Sequence, residues 1–439
     1  MKFITKTGFS LLITVAIASI PLIQAVSAQS SQLNTRQKTW NKAQLLHQLD
    51  LYSLYPSDSR NCKLSPVSQA ISPNSRFLAI SSHDYERSCG SGTSTLTLWD
   101  LPTGKKVATL IQGKATEAFW LERNLAQEPV EGNTYIAGDI AHAVAFTPNN
   151  NQIIAGLSNG TVKVWDVKTG QIAQTLQGHR YAVHAIALSP NGQLLASGSS
   201  DQTVKLWDLQ TGKPLHTFNL NPSNGIIDRL IMSSDGQTLV SATTTNKIQL
   251  WNSQTGQLKK TLFNSDRSPG SYHPIALSPN GQLLATSDKD NSIKLWNLRT
   301  GSRFLTLKGH TDKVQSLAFS PNGKSLVSSS NDNTIKFWNL PTNKLEHILT
   351  NIGVTNPHFS QPSINRIVFS PNGQTLAIEA LMPTSNPVPL MGIKLWDIQQ
   401  QKIVFEAPET FSLPGVQFSL DGQLLVAVAP QTKIWQASN

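Results

Sequence analysis

Four glutamates between residues 117 and 131 are the first side chains in the sequence that could do chemistry together. Carboxylate oxygens are the ligands that hard cations such as Ca²⁺ prefer, so this group could form a cation site. A solvated helical segment over Ala115–Gln127 explains the same residues without a ligand. We favour the helical segment and predict no metal. The four residues are Glu117, Glu122, Glu128 and Glu131.

The sequence contains none of the short motifs that commonly carry catalysis. It has no HExxH pattern, no glycine-rich phosphate loop and no nucleophile elbow. An active site needs acids, bases or nucleophiles that converge, but the histidines are scattered. Most aspartates follow a tryptophan or lie in a tight turn, which gives them a structural explanation: Asp100, Asp166, Asp208, Asp397, Asp201, Asp290 and Asp332. We therefore predict a protein that is not an enzyme and holds no cofactor.

Cys62 and Cys89 are the two cysteines of the chain. Their separation matches no usual spacing of metal ligands, and no histidine cluster accompanies them, which makes a zinc or redox site the weaker interpretation. In an oxidising compartment such a pair commonly forms a disulfide. We expect a structural bridge between them.

The first 28 residues have the pattern of a secretory signal peptide. Lys2 and Lys6 precede an apolar run over Leu11–Ile23, and Val26–Ala28 offers small residues for cleavage. An uncleaved membrane anchor is the alternative, but the run of about 13 residues is shorter than the roughly 20 that cross a bilayer. We predict export to the periplasm or the extracellular space, a mature chain from Gln29, and no membrane span after cleavage.

The composition narrows the class of protein and of partner. Charged residues make up 14% of the chain, below the roughly 25% of an average domain, which excludes a charge-rich disordered chain or a coiled coil. The formal net charge of +10 favours anionic partners such as an acidic envelope surface. Lysine and arginine are spread along the chain, so the sequence indicates no concentrated basic patch. Nucleic acid is not expected as a partner outside the cell.

One sequence motif recurs eight times along the chain. The strands that it forms must position the side chains of any binding site. Residues 187–207 read ALSPNGQLLASGSSDQTVKLW, and residues 276–296 read ALSPNGQLLATSDKDNSIKLW. Each copy has an apolar run, a turn like Ser-Pro-Asn-Gly, a second apolar run, a polar turn and a strand that ends in tryptophan. The eight tryptophans are Trp99, Trp165, Trp207, Trp251, Trp296, Trp338, Trp396 and Trp435.

Each copy is typical of four short antiparallel strands. The turn at Ser189–Gly192 suits a type I turn followed by a left-handed residue. Leu209–Gly212 closes a second hairpin, and Pro214–Leu220 supplies a fourth strand. Four such strands at a period of about 40 to 45 residues are the signature of a propeller blade.

The sequence resembles the WD-repeat family at two motifs. Leu-Trp-Asp occurs at Leu98–Asp100, Leu206–Asp208 and Leu395–Asp397, and Gly-His occurs at Gly178–His179 and Gly309–His310. The resemblance covers nearly everything after residue 60. It implies a β-propeller, and together with the leader it indicates an exported, bacterial-type member.

The resemblance also implies hydrogen-bonded groups that brace single blades. Family members link a His after the fourth strand, a Ser or Thr in the second strand, an Asp six residues before the Trp, and the Trp itself. Two units carry the whole set, and in each a second serine is an alternative. The first set is His179, Ser199 or Ser197, Asp201 and Trp207. The second set is His310, Ser330 or another serine among 328–330, Asp332 and Trp338. The unit ending at Trp296 keeps only Asp290. The other units depart at the Asp position, which puts the rigidity of their blades in doubt: Thr93, Asn159, Thr245, Leu390 and Ala429.

The last unit, which runs to Asn439, has three strands and no fourth. An open strand edge is an aggregation liability, and the resemblance implies closure by a strand from the other end of the chain. Lys42–Leu51 resembles other fourth strands such as Lys344–Thr350, although a short helix over Trp40–Leu49 is an alternative. We predict an all-β, eight-bladed β-propeller of four-stranded antiparallel blades, in which an N-terminal strand completes the C-terminal blade.

This organisation divides the chain into three parts. They are a signal peptide over 1–28, an N-terminal segment with the closing strand over 29–60, and the propeller over 61–439. The repeating units lie near residues 61–112, 139–178, 179–221, 222–264, 265–309, 310–352, 353–407 and 408–439.

Four insertions depart from the shortest unit: Ser82–Thr95, Ile111–Ile140, Asn351–Ser363 and Ala380–Met391. In a four-stranded meander the second-to-third and the blade-to-blade connections lie at the same end, so all four should project from one face. A Cys62–Cys89 bridge on that face would close a loop of about 27 residues. Large residues in or near the insertions are candidates for partner binding, with packing over the disc as the alternative: Tyr85, Arg87, Phe119, Trp120, Tyr181, His358, Phe359, Met382 and Met391.

These observations favour a non-enzymatic, exported scaffold that docks a protein partner through its insertion-bearing face. A second hypothesis is a propeller that binds or hydrolyses a small ligand or glycan at the mouth of its central channel. A third is a structural envelope component without a specific ligand. Convergent His, Asp or Glu side chains at the channel mouth would favour the second hypothesis.

Overall fold

The computed structural model describes residues 39–51, 64–84, 93–114, 139–220, 225–245, 247–263, 274–350, 352–353, 364–382, 390–408, 415–428 and 431–438. Several sequence-based predictions lie outside these ranges: the signal peptide, the Cys62–Cys89 bridge, the clustered glutamates, and the candidates Tyr85, Arg87, Phe119, Trp120, His358 and Phe359. Within them the chain forms strands and turns and contains no α-helix.

The first half of the chain contributes one closing strand and four blades. The closing strand is β1 (Thr39–Asp50). Blade 1 contains β2 (Leu64–Ile71), β3 (Phe77–Asp84), β4 (Thr93–Asp100) and β5 (Lys105–Lys114); blade 2 contains β6 (Ala141–Phe146), β7 (Gln152–Leu157), β8 (Val162–Asp166) and β9 (Ile172–Leu176). Blade 3 contains β10 (Val183–Leu188), β11 (Leu194–Ser199), β12 (Thr203–Asp208) and β13 (Pro214–Asn219); blade 4 contains β14 (Ile227–Met232), β15 (Thr238–Thr243), β16 (Lys247–Asn252) and β17 (Leu258–Phe263).

The second half contributes the remaining four blades. Blade 5 contains β18 (Ile275–Leu277), β19 (Leu283–Ser287), β20 (Ile293–Asn297) and β21 (Arg303–Leu307); blade 6 contains β22 (Val314–Phe319), β23 (Ser325–Ser330), β24 (Ile335–Asn339) and β25 (Lys344–Leu349). Blade 7 contains β26 (Ile364–Phe369), β27 (Thr375–Met382), β28 (Leu390–Asp397) and β29 (Lys402–Pro408); blade 8 contains β30 (Gly415–Phe418), β31 (Leu424–Val428), β32 (Gln431–Ser438) and β1.

The sheets stand side by side around a central axis. In blades 1 to 7 each sheet pairs its four strands in chain order. First strands contact the first strands of neighbouring blades, as β6 does with β2 and β10, while fourth strands such as β9 and β25 are largely exposed. First strands are therefore innermost and fourth strands form the outer wall. The predicted eight-bladed propeller is confirmed.

The closing strand β1 completes blade 8 by pairing antiparallel with β32. Leu45 lies opposite Trp435 in this pair, the register that a fourth strand has elsewhere. Trp40 is buried and meets the ring of Phe418 edge-on, with centroids 5.6 Å apart. The alternative of a helix over Trp40–Leu49 is wrong, because here the strand covers an edge that would otherwise be open.

The hydrophobic core lies between blades and not within any one of them. Small residues let neighbouring sheets approach: a Cβ on Gly156 would lie 2.5 Å from Cγ1 of Val183, and a Cβ on Gly198 would lie 2.5 Å from Cγ2 of Ile227. Trp165 and Trp207 are among the largest fully buried side chains. Each blade is thus stabilised mainly by the apolar surface that its neighbours bury.

The two faces of the disc differ. On one face, which we call the turn face, tight turns join first to second and third to fourth strands. There Gly192 N donates to Ser189 O at 2.8 Å, and Gly192 takes a left-handed φ of 71°. Gly212 N donates to Asp208 O at 2.8 Å in the other kind of turn. The opposite face, which we call the connection face, carries the second-to-third and blade-to-blade connections.

On the connection face, the strands of blades 1 and 7 extend further than those of blade 8, which lies between them. In blades 1 and 7 the third strand begins six residues before its tryptophan, at Thr93 and Leu390, whereas in blade 8 it begins four residues before, at Gln431. Two residues of strand add about 7 Å. The ends of two predicted insertions are therefore strand. In blade 7, Ala380–Met382 pairs with residues 390–392, and in blade 1, Ser82 and His83 pair with Thr95 and Ser94.

Candidate functional site

In blade 3 four side chains form one continuous hydrogen-bonded group. Trp207 Nε1 donates to Ser197 Oγ at 2.8 Å, and Ser197 Oγ lies 2.8 Å from His179 Nε2. His179 Nδ1 lies 3.0 Å from a carboxylate oxygen of Asp201. The group joins the connection that enters the blade to its second and third strands, so it braces the blade at its connection-face end.

The serine in this group is Ser197, and the assignment of Ser199 is wrong. Both residues lie on one face of β11, because alternate residues of a strand share a face. Ser199 stands at the end of the strand, where its Oγ donates to Tyr181 O at 2.8 Å and accepts from Asp201 N at 3.0 Å. It holds the turn that carries Asp201 and does not reach the tryptophan.

Blade 6 repeats the arrangement. Trp338 Nε1 donates to Ser328 Oγ at 2.9 Å, Ser328 Oγ lies 2.7 Å from His310 Nε2, and His310 Nδ1 lies 2.8 Å from Asp332. Ser330, the serine assigned from the sequence, instead donates to the carbonyl of Asp312. The bridging residue is therefore Ser328, for the same reason of strand periodicity.

The charges of these groups follow from their surroundings. Burial opposes ionisation of Asp201, but hydrogen bonds from His179, Thr203 and the Arg180 amide outweigh it and hold the pKa of Asp201 well below its usual range. Burial lowers the pKa of His310 despite its hydrogen bond to an aspartate. A neutral His310 must carry its proton on Nδ1, because the carboxylate beside that nitrogen can only accept.

Other blades keep only part of the brace. Trp251 Nε1 donates to Ser241 Oγ at 2.9 Å, and Trp296 Nε1 donates to Thr286 Oγ1 at 3.0 Å. Asp290 accepts from Ser292 at the turn that it occupies. These groups are bracing elements of the blades and are not arranged to perform a reaction.

The connection face has a notch above blade 8. Its walls are the raised ends of blades 1 and 7, including the strand ends at Asp84 and Leu390. Between them lies blade 8, where Gln69 Nε2 donates to Gly415 O at 3.1 Å at the start of β30. Among the described residues, the strands of blades 1 and 7 therefore extend further toward the connection face than those of blade 8, and we call this difference in strand height the notch.

Three sequence-predicted candidates for partner binding lie in described parts of the chain. Tyr181 is partly exposed on the connection face beside the brace of blade 3. Met391 is partly exposed in the raised hairpin of blade 7. Met382 is only 6% exposed, so its assignment as an exposed contact residue is wrong. Its sulfur packs over Gly392 on the paired strand, where the lack of a side chain leaves room.

A ring of side chains surrounds the axis near the connection face. Six first strands have a register shift close to their beginning that leaves one residue out of the pairing. Because first strands are innermost, these unpaired residues lie at the channel mouth. One is Val67, and the other five are polar: His142, His184, Asp228, Gln315 and Asn365.

Two neighbouring members of the ring are stacked imidazoles. The ring centroids of His142 and His184 are 4.7 Å apart, and His184 Nε2 lies 2.6 Å from Ser200 Oγ. Burial lowers the pKa of His184 to about 4. Burial, together with the imidazoles of His184 and His83, holds the pKa of His142 well below its usual range. Both rings are neutral near pH 7 and offer a nitrogen lone pair.

Asp228 is the next member of the ring. Burial raises its pKa to about 6, and the neighbouring Arg229 offsets this only in part. Its Oδ1 is buried without a hydrogen-bond partner, which is costly for a carboxylate. Within the described ranges no group of three or more His, Cys, Asp or Glu side chains could hold a metal ion.

A second buried carboxylate joins blades 7 and 8. Glu379 is fully buried, and its Oε1 accepts from Val416 N at 2.5 Å. Other blades have small residues at this strand position, such as Ser81 and Gly156. Burial raises the pKa of Glu379 against the effect of the paired Arg366. In two other junctions the corresponding amide donates to a serine of the first strand, Ser68 or Ser316, whereas here it donates to this carboxylate of the second strand.

Sequence reasoning did not find Asp228 or Glu379. The register shift that places Asp228 at the channel mouth, and the contact of Glu379 with the next blade, depend on which strands meet and leave no local pattern. The only available signal was a charged residue within an otherwise apolar strand segment, as in Ile227–Met232. That segment also contains Arg229, so the pattern resembles an ordinary solvated position.

Within the described ranges, no helix has the length and apolar character needed to cross a bilayer. Two curated relatives match part of the chain. Mitochondrial division protein 1 of Eremothecium gossypii is 31% identical over 96 residues, and its namesake in Kluyveromyces lactis is 27% identical over 94 residues. Each match covers 21% of this chain and 13% of the relative. The chain therefore aligns with a small part of these proteins.

A family model described as "WD domain, G-beta repeat" matches residues 134–166, 170–208, 273–297 and 301–339. Two of these matches begin with the outer strand of one blade and end with the third strand of the next. They include both blades with a complete brace, in which Trp207 and Trp338 are bonded through serine to histidine. The chain thus carries WD40 repeats over these four ranges, within an eight-bladed β-propeller.

Proposed function

We propose that this protein is a non-enzymatic, exported scaffold that captures a protein partner on its connection face, with the notch above blade 8 at the centre of the contact. The difference between the two faces carries the proposal. The turn face has short turns in every blade, closed by backbone hydrogen bonds, whereas the connection face has raised hairpins and the polar channel mouth. WD40 propellers typically serve as protein-interaction scaffolds, which agrees with this assignment.

The chemistry of the face favours binding over catalysis. Its titratable groups, His142, His184 and Asp228, lie on successive blades. Arg229 is the only charged group that perturbs the pKa of Asp228. Glycoside hydrolysis needs two carboxylates about 5 to 9 Å apart, and in the described ranges no second carboxylate acts on Asp228.

Shortening the notch walls tests the docking proposal. Ala380 pairs directly with Gly392, so an Asn-Gly turn can replace residues 381–391 without changing the register and removes the raised end of blade 7. Ser82 pairs with Thr95, so the same replacement of residues 83–94 removes the raised end of blade 1. Affinity capture from the native envelope or secreted fraction, followed by mass spectrometry, should lose a stoichiometric partner in this double variant.

A control variant keeps the notch and changes the opposite face. Gln193→Ala, Gln282→Ala and Gln374→Ala alter exposed residues in three turns of the turn face. We expect this variant to retain the partner and both variants to unfold at the wild-type midpoint. Retention of the partner by the double variant would contradict docking at the notch, even if the propeller scaffold captures a partner elsewhere.

Export is a separate part of the proposal and has a separate test. The leader predicts cleavage after Ala28. Fractionation should recover the protein outside the cytosol, and N-terminal analysis should begin at Gln29. Recovery of the uncleaved chain in the cytosol would contradict export. The yeast relatives are named for mitochondrial division, but they align over 13% of their length, so that role is not extended to this chain.

A second candidate function is binding of a small ligand or glycan at the channel mouth. The observation in its favour is the arc of His142, His184 and Asp228, with one carboxylate oxygen lacking a partner. A hydroxyl-rich ligand could donate to that oxygen and to a neutral imidazole. A glycan array probed with wild type and with Asp228→Asn should show binding that the variant loses. Absence of binding to any glycan would leave protein docking as the sole function of this face.

A further inference from the structure

The outer wall repeats one irregularity in all eight blades. Where the fourth strand passes the tryptophan of the third strand, the pairing register shifts by one residue. In blade 5, for example, Trp296 pairs with Arg303 and Leu295 pairs with Leu305, so Phe304 stands out of the pairing. The shift lies near the beginning of the fourth strand and therefore near the turn face.

Large apolar side chains are exposed at this height. Phe304 is 58% exposed, and Leu258 in the adjoining blade 4 is 47% exposed. Single exposed apolar residues are normal on protein surfaces, so these two do not by themselves indicate a site. Exposed apolar residues also occur on other outer strands, as at Val107 and Ile172. Around Leu258 and Phe304 the cations of two adjacent blades combine.

Four exposed cations accompany Leu258 and Phe304: Lys259, Lys260, Arg299 and Arg303. The six residues together are called the outer patch. The strands β17 and β21, which read LKKTLF and RFLTL, contain no acidic residue. The turns before them begin with Asn252 and Asn297, where other blades have an aspartate such as Asp208.

The outer patch is continuous across two blades. A Cβ on Gly301 would lie 2.7 Å from Cδ of Lys260, so the stem of this lysine from blade 4 lies against the turn of blade 5. Lys259 Nζ donates to Thr238 Oγ1 at 2.7 Å, which is a neutral partner. In the described part of the chain, none of the four cations forms an ion pair with a carboxylate.

The positive charge of the patch affects a neighbouring side chain. Lys294 has a lowered pKa, because of burial and because of the charge of Arg303. The outer strands of blades 6 and 7 contain Glu346 and Glu406, which reduce the positive charge there. The sequence alone indicated no concentrated basic patch, because residues about 40 apart in the chain come together only on neighbouring blades.

We propose that the outer patch adsorbs this protein to the surface of an anionic lipid bilayer. Lys259, Lys260, Arg299 and Arg303 would contact anionic head groups, while Leu258 and Phe304 enter the boundary between head groups and acyl chains. A soluble acidic polymer would satisfy the cations but would leave both apolar side chains in water. The patch lies near the turn face, so adsorption leaves the connection face accessible.

Vesicle binding of the full chain tests the proposal. The probes are phosphatidylcholine vesicles with and without phosphatidylglycerol, and sedimentation gives the bound fraction. Replacing the four cations by glutamine should weaken binding to the anionic vesicles at least about tenfold, since each Lys or Arg near an anionic leaflet contributes severalfold. Added salt should weaken the wild type in the same direction.

The matched control changes four other exposed cations of the outer wall, Lys105, Lys106, Lys213 and Lys344. Their replacement by glutamine removes the same charge and should change binding less than about threefold. The N-terminal segment with the apolar run over Leu11–Ile23 is the same in every variant, so it does not contribute to the differences between them. Equal losses in the two quadruple variants would overturn the assignment to the outer patch.

A second measurement separates a bilayer from an acidic polymer. Phe304→Trp should be quenched by brominated lipid in anionic vesicles, whereas Ile172→Trp at the equivalent height of blade 2 should not. Leu258→Ser with Phe304→Ser should weaken vesicle binding but leave binding to soluble dextran sulfate unchanged. If dextran sulfate binds and no quenching occurs, the ligand is an anionic polymer and the lipid assignment is overturned.

Discussion

The ring closes through a contact between His47 and Pro102. His47 Nε2 lies 2.9 Å from Pro102 O, so the closing strand of blade 8 is held to a turn of blade 1. The same contact occurs between blades 3 and 4, where His216 Nε2 lies 2.8 Å from Gln254 O. In both places the imidazole covers a glycine, Gly104 or Gly256. The junction made by the two ends of the chain therefore has the geometry of an internal junction.

Because the two junctions are equivalent, removing the histidine should destabilise the protein equally at each. His47→Ala and His216→Ala each remove one hydrogen bond to a backbone carbonyl that is partly exposed to solvent. We expect each to lower the free energy of unfolding by about 1 kcal/mol, as measured by urea denaturation. A much larger loss for His47→Ala would mean that the closing strand depends on this contact more than an internal strand does.

The brace of blade 3 predicts different effects for its two serines. Ser197→Ala leaves the buried donor of Trp207 and a nitrogen of His179 without a partner, and should cost about 2 to 3 kcal/mol. Ser199→Ala removes bonds to Tyr181 O and Asp201 N near the surface and should cost about 1 kcal/mol. Thermal and urea unfolding give both values. The reverse order would contradict the assignment of the bridging serine.

Close approach of blades 2 and 3 predicts a steric effect at Gly156. A Cβ there would lie 2.5 Å from Cγ1 of Val183, so Gly156→Ala should destabilise by about 1 to 3 kcal/mol. Adding Val183→Ala removes the clashing methyl groups. In a double-mutant cycle we expect the two changes to cost less together than the sum of the single changes. Simple additivity would show that the sheets can separate at no cost.

Replacing Asp228 is expected to raise the free energy of unfolding by an amount that depends on pH. Its pKa is about 6 in the folded protein and about 3.9 in an unfolded chain. Between these values the folded state binds more protons, so ionisation of Asp228 makes folding less favourable as the pH rises from about 4 to about 6. Asp228→Asn should therefore be more stable than wild type by about 3 kcal/mol near pH 7 and nearly equal to it near pH 4.

The control for this prediction is Asp312→Asn, which changes an exposed aspartate on the connection leading into blade 6. Its effect on the free energy of unfolding should be small and constant over the same pH range. If Asp228→Asn raised the free energy of unfolding by the same amount at pH 4, the cause would be better packing by asparagine, and the electrostatic explanation would be contradicted.

The blades and their closure were predictable because the strongest signals are local and repeated. A tryptophan ends each third strand, and each turn is marked by residues such as Ser189 and Gly192. The closing strand followed from counting strands, even though the residues around Leu45 also favour helix. In that segment tertiary pairing with β32 decides the conformation.

Features that depend on which strands meet could not be predicted. Ser197 and Ser199 are the same residue type on one strand face, so only the position of Trp207 across the sheet distinguishes them. The raised hairpin of blade 7 looked like a loop because its length departs from the repeat, yet Met382 and Leu390 are paired. The outer patch brings Lys260 beside Gly301, a proximity that exists only once the ring has formed.

Pairing of Thr39 with Ser438 has a consequence for how the molecule is presented. These two residues are opposite each other in β1 and β32, at the strand ends that lie on the turn face. A tether joined to either residue would therefore leave from one point on that side, and pulling on both would open the pair bond by bond from the turn face toward the connection face. A short attachment at either residue thus leaves the connection face, on the opposite side, unobstructed.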